Sequence, residues 1–342
     1  VFGSNRCMSC TDQQLWLLIP FSIMGVVLVA LLFLLNCTVS VGTINGLILY
    51  ANIITPGIVN RLPLANRDFF MLVAWLNLDF GIETCFYNGM STLVKTWLQF
   101  LFPAYILFLV GIFIFVSRWS SLLTRLCAGN AVAVLATLIL LSYTKFLETV
   151  ITILAYTNLH VSDSTANNPP VWLADGTILY TQVEHTPLLA AGIVITVTFL
   201  FPYTLILLLA PWIQAKSQWK IFSWVNKLKP FIDAHQAPFK DQYRYWPGVL
   251  LMVRVVLYIV FIINEGSNIN ANLLAIALVL CSYAFITSTL SVYKYWPLSI
   301  LENCFLINLI FLSCILLYIE DFSSNNGVRI LNSSGGMSLA VL

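Results

Sequence analysis

Seven apolar runs, each long enough to cross a bilayer as a helix, constrain this chain more than any other feature: 15–35, 97–117, 130–156, 187–212, 247–263, 272–291 and 298–319. A bilayer core about 30 Å thick takes about 20 helical residues, because backbone amides in lipid must be satisfied within the segment. None of the runs shows the strand-like alternation of a membrane barrel, so helices are expected. Six of the sixteen Lys and Arg residues lie between two of these runs: Lys216, Lys220, Lys227, Lys229, Lys240 and Arg244. The stretch 157–186 has no Lys or Arg but carries Asp163, Asp175 and Glu184. Basic short loops stay in the cytosol, so 213–246 is expected inside and 157–186 outside. With 60% apolar and 9% charged residues, a soluble globular domain is excluded.

Two weaker segments separate the first two strong runs. Val39–Ile54 is broken by Ser40, Gly42, Thr43, Asn45, Gly46 and Asn52, and Phe69–Phe86 carries Asn77, Asp79 and Glu83. Polar side chains at membrane depth face protein or water, so neither segment should face lipid all round. Arg118, Arg125 and Lys294 fall inside and Glu265 outside in the same scheme. An extracellular start then requires one weak segment to cross. The favoured one is 69–86, leaving 39–54 re-entrant or interfacial; within it, 43–52 has Asn45 and Asn52 on one face, which suits a half-helix lining a cavity or, better, a surface-lying helix. The fold expected is an all-α polytopic bundle of about eight spans with both ends outside. Trp16, Trp97, Trp212, Trp246 and Trp296 suit the interfaces, and Pro103, Pro202 and Pro211 should kink or break their helices.

The chain opens on Val1 with no basic region ahead of its first apolar run, which predicts a piece of something longer. Cys7 and Cys10, just before the first span, suit the end of a disulfide-rich extracellular module at 1–14 better than free thiols. Zinc would need two more ligands. The bundle then occupies 15–320, and 321–342 is expected to be a flexible tail.

Ionisable residues inside spans are costly, about 2.5–3.5 kcal/mol each on insertion scales unless paired or wet. Asp79 and Glu83 share one helix face at i,i+4, and Lys145 and Glu148 share another at i,i+3, both toward the outer side. Arg254 and Glu302 lie toward the cytosolic side. The outer set, three acids to one base, forms a candidate cation or proton site; interhelical ion pairing explains it equally well. In the cytosolic segment, Ile221, Val225, Leu228 and Ile232 keep helical spacing while Lys216, Lys220, Lys227 and Lys229 take other faces. That pattern predicts an interfacial amphipathic helix ending at Pro230, facing anionic lipid headgroups or a cytosolic signalling partner.

The three histidines, His160, His185 and His235, are all expected in loops, and no hydrolase, metalloprotease or phosphate-loop motif occurs. No enzymatic activity, cofactor, metal or nucleic-acid partner is therefore expected.

Several strings together carry a resemblance: Val41-Gly42-Thr43-Ile44-Asn45-Gly46-Leu47-Ile48-Leu49-Tyr50-Ala51-Asn52, Ala74-Trp75-Leu76-Asn77-Leu78-Asp79-Phe80-Gly81-Ile82-Glu83, Lys95-Thr96-Trp97-Leu98-Gln99-Phe100, and Leu141-Ser142-Tyr143-Thr144-Lys145. In these, and in 229–248, the chain resembles the membrane region of large invertebrate surface proteins with EGF-like or Cys-rich ectodomains. The resemblance covers nearly all of 1–320 and implies an extracellular start at the plasma membrane, but no particular activity. A likeness to TRP-like channels exists in layout alone. The expected role is the anchor and signalling or adhesion end of a surface protein, with a cation channel or transporter using Asp79, Glu83, Lys145 and Glu148 as the alternative.

Overall fold

A computed structural model describes residues 16, 18–35, 38–43, 46–51, 87–120, 124, 131–158, 170–215, 225–263 and 269–325. Over these residues the strong apolar runs are helical, as α1 (Leu18–Leu35), α2 (Thr92–Val116), α3 (Ala131–Leu154), α4 (Thr186–Ile195), α5 (Phe201–Ala215), α7 (Trp246–Ile263), α8 (Ile269–Leu290) and α9 (Trp296–Asn325), and the basic segment adds α6 (Val225–Gln236). Among the described residues five helices are long and apolar enough to cross a membrane: Thr92–Val116, Ala131–Leu154, the continuous Thr186–Ala215, Leu273–Leu290 and Trp296–Tyr318. Ser22–Leu34 and Trp246–Val260 are shorter apolar helices.

α3 is the axis of the bundle. Its apolar window is 72% buried, against 28% for α2, for Thr186–Ala215 and for α9. It packs against α1, α2, α4, α6 and α7, while the outer helices turn large apolar side chains such as Phe108, Phe201 and Phe311 outward. That inversion suits a lipid surround, where the outside is as apolar as the core.

Pro202 neither breaks nor ends its helix. Its missing N–H is absorbed by a wider π-helical stretch at Thr196–Leu200, where the Phe201 N–H reaches back five residues to the Thr196 carbonyl. α2 likewise runs on through Pro103 and α5 through Pro211.

Three features correct the sequence reading. First, a small antiparallel sheet, β1 (Tyr156–Asn158), β2 (Pro170–Trp172) and β3 (Asp175–Leu179), caps one end of an otherwise helical fold. The Trp172 indole N–H donates to the Thr152 carbonyl at 2.9 Å, fastening the sheet to the end of α3. His185 stands in the turn before α4, as expected, but it is fully buried, with ring centroids 5.2 Å from Trp172 and 5.1 Å from Tyr180. Second, α6 continues through Pro230 to Gln236, which makes His235 helical. Third, α9 extends to Asn325, so the first residues of the expected tail are helical.

At the opposite end from the sheet, backbone hydrogen bonds from Lys240 N–H to the Val292 carbonyl (3.0 Å) and from Lys294 N–H to the Pro238 carbonyl (2.9 Å) tie two connections together. Gly42 sits beside them at φ 86°, where an added Cβ would lie 2.9 Å from both Pro238 and Leu298. The connections 237–245 and 291–295 therefore share one end of the bundle, as their charge predicted.

From Gly42 the chain rises along α9: an added Cβ on Gly46 would lie 3.3 Å from Phe305, and the Tyr50 hydroxyl donates to Asn308 Oδ1 at 2.7 Å. Ile48, Leu49 and Ala51 are buried, so this stretch packs within the bundle and is not a surface-lying helix. Which of 39–54 and 69–86 completes a crossing rests on residues 52–86, outside the described residues.

Candidate functional site

Six helices send polar side chains to one buried network in the half of the bundle away from the sheet. The Tyr143 hydroxyl of α3 lies 2.7 Å from Thr204 Oγ1 of α5. The neighbouring Tyr203 hydroxyl lies 2.8 Å from His235 Nε2 of α6. Arg254 of α7 is 1% exposed and within electrostatic reach of Tyr143, Tyr203 and Tyr283. The Tyr283 hydroxyl of α8 donates to Glu302 Oε1 of α9 at 2.9 Å. Tyrosine suits this place, since its ring fills apolar space and its tip carries a polar contact across the helix gap.

Aromatic packing holds the polar tips in position. Tyr203 stacks on Phe199 at 5.7 Å, Phe231 meets His235 edge-on at 4.9 Å, and Trp246 stacks on Tyr283 at 6.3 Å. Trp246 is thus buried, not an interfacial belt residue as the sequence suggested. A cavity of about 10 Å³ lies between His235, Arg254, Leu207 and Leu251, about the room that one water takes. Burial, with the positive charge of Arg254 added, holds the His235 imidazole down at about 3, so it is neutral at physiological pH.

The two expected ion pairs fare differently. Lys145 Nζ and Glu148 Oε2 of α3 are 3.2 Å apart, with side chains 1% and 18% exposed. They lie about 21 and 26 Å along a helix rising 1.5 Å per residue, toward the sheet end, as their sequence position implied. Thr149 beside them donates to Gln99 Oε1 of α2 at 3.2 Å. Arg254 and Glu302 are brought into the same network, but Glu302 takes its hydrogen bond from Tyr283, with Arg254 acting on it from farther off. Asp79, Glu83, Cys7, Cys10, Lys216 and Lys220 lie outside the described residues, as does the side chain of Lys227.

Lys229 is exposed on α6, with Leu228 beside it. The other face of that helix packs on the bundle. Ile232 is buried against Ala210 and Ile213 of α5, and His235, Gln236 and Phe239 are buried after it. The sequence carried a signal for this: Ile232, His235, Gln236 and Phe239 fall at i, i+3, i+4 and i+7, one helical face.

Among the described residues no three His, Cys, Asp or Glu side chains converge as a metal site. The network joins tyrosine hydroxyls, an imidazole, a carboxyl and one buried guanidinium across neighbouring helices. No family model, no curated protein and no solved structure matches this chain.

Proposed function

We propose that the chain is the multi-pass membrane domain of a cell-surface protein, acting as its anchor and as its signalling or adhesion end. The observation that carries this reading is the contact between Tyr203 and His235, which ties the basic segment's helix α6 to the spanning helix Thr186–Ala215. Through Tyr143 and Thr204 the same network reaches the central helix α3, whose far end holds the sheet through Trp172. A displacement at the sheet thus has a packed route to the basic segment. Eight crossings, an extracellular start with Cys7 and Cys10 in a disulfide, a plasma-membrane location and contact of Lys216, Lys220, Lys227 and Lys229 with anionic headgroups belong to the same proposal.

The alternative is a cation channel or transporter using Asp79, Glu83, Lys145 and Glu148. It is the weaker reading, because Lys145 is packed away from solvent against Glu148 of its own helix. Whole-cell current and ion-uptake recordings of the expressed chain, beside an Asp79→Asn, Glu83→Gln double variant, separate the two. The anchor and signalling reading expects currents no larger than in untransfected cells, with normal surface expression. A current in the parent that falls or changes selectivity in the variant would establish the channel.

A further inference from the structure

α9 carries a polar side chain where its surroundings should be lipid. Asn308 lies twelve residues from Trp296 and ten from Tyr318, the ends of the apolar span, which is about 18 Å and 15 Å at 1.5 Å per residue. It is therefore near the middle of the span, and it is exposed. Its Oδ1 accepts from the Tyr50 hydroxyl, and among the described residues nothing takes up its two amide N–H donors. Unmet polar groups are costly in hydrocarbon, and hydrogen bonds between helices are the usual remedy.

The surface around Asn308 has the form of a helix seam. Leu301, Cys304, Asn308, Phe311 and Ile315 are all exposed and follow one another in steps of three and four, the spacing of knobs-into-holes packing. Any helix with an outward stripe has such a spacing, so the spacing alone names no partner. The amide at its centre does.

We propose that this face of α9 pairs with the same face of a second copy of the chain. An amide is donor and acceptor at once, so two Asn308 side chains across a two-fold axis complete each other without any third group. The proposal rests on the membrane reading above and adds an assembly to it. Tyr50, by holding Oδ1 from within its own bundle, leaves the N–H donors turned outward toward the partner.

The test uses the full chain with every cysteine but Cys304 and Cys314 replaced by serine, oxidised with copper phenanthroline in carbonate-washed membranes. A disulfide-linked dimer is expected, falling at least fivefold in Asn308→Leu and recovering in Asn308→Gln, which keeps the amide. Absence of the dimer overturns the proposal, as does a dimer undiminished in Asn308→Leu. Equal cross-linking of Phe108→Cys on α2, in a chain lacking Cys304 and Cys314, would mark random collision and overturn it too. If Cys85 is restored and Cys304 joins it within one chain, the chain's own segment covers this face and the pairing is wrong. Loss of the parent chain from carbonate-washed membranes would instead overturn the membrane reading itself, and this one with it.

Discussion

The Tyr203 hydroxyl and His235 Nε2, 2.8 Å apart and both buried, join a helix long and apolar enough to span a membrane to the helix of the basic segment. Thirty-two residues separate them in sequence, and α6 packs on α3, α5 and α7 around that contact. Removing one partner of a buried hydrogen bond leaves the other unsatisfied, at a cost of about 1–3 kcal/mol. Tyr203→Phe keeps the ring and removes only the hydroxyl. Hydrogen exchange in nanodiscs is expected to quicken about tenfold over 225–236 in this variant and to stay unchanged over 131–154. Equal exchange in both proteins would show that the contact does not hold α6.

Acid should weaken the same dock. The ordinary imidazole value is about 6.5, and burial lowers His235 to about 3 in the folded chain. The unfolded chain thus takes up a proton below about 6.5 while the folded one does not. Stability is level above that value and declines as pH falls from about 6.5 toward 3. Burial lowers His185 beneath the sheet as well, in the same direction. Thermal melts in detergent between pH 7.5 and 4.5 should show a falling Tm for the parent and a shallower fall for His235→Gln. A Tm that rises on acidification would contradict the assignment.

Lys145 and Glu148 should be unequal in their loss. Glu148→Gln takes a carboxylate from an ammonium that is 1% exposed, whereas Lys145→Met replaces the ammonium by an apolar chain and leaves the more exposed carboxylate. Losing a charged partner is costly for a buried ammonium, and an apolar replacement of the ammonium is often tolerated. Glu148→Gln is therefore expected to lower Tm more than Lys145→Met, with the double variant nearer the parent. The reverse order would mean that Lys145 is satisfied by other contacts.

Gly248 marks a close approach of two helices. A Cβ there would lie 2.5 Å from the backbone N and Cα of Leu208, so α5 and α7 would have to separate. Overpacking of this kind costs about 1–3 kcal/mol. Gly111 of α2 has nothing within 4 Å of an added Cβ, and alanine is the better helix former by about 1 kcal/mol. Gly248→Ala should lower Tm and folded yield while Gly111→Ala leaves or raises them. Similar effects at both sites would show that the α5–α7 contact is looser than this.

The helices were legible because lipid-crossing length and apolar content are properties of single segments. The run 130–156 became Ala131–Leu154 and the run 187–212 became Thr186–Ala215. The Lys145–Glu148 contact was legible for the same reason, being one turn of one helix. The sheet was not: its strands span three to five residues, too short for alternation to stand out beside Pro169, Pro170 and Gly176. Pro230 read as a helix end because the cost of proline is local. The burial of Ile232, His235 and Phe239, which pulls α6 onward past it, comes from other helices. The polar network escaped for a like reason, since tyrosines scattered over 143–283 look like membrane filler until the fold brings their hydroxyls together.

The most direct test of the account is thiol labelling from each side of the membrane. In a cysteine-depleted full chain, Val183→Cys beside the sheet and Lys229→Cys on α6 are both at exposed positions. The account expects a membrane-impermeant maleimide to label Val183→Cys in intact cells and Lys229→Cys only after permeabilisation. Labelling of both in intact cells, or of Lys229→Cys alone, would place the basic segment outside the cytosol and contradict it.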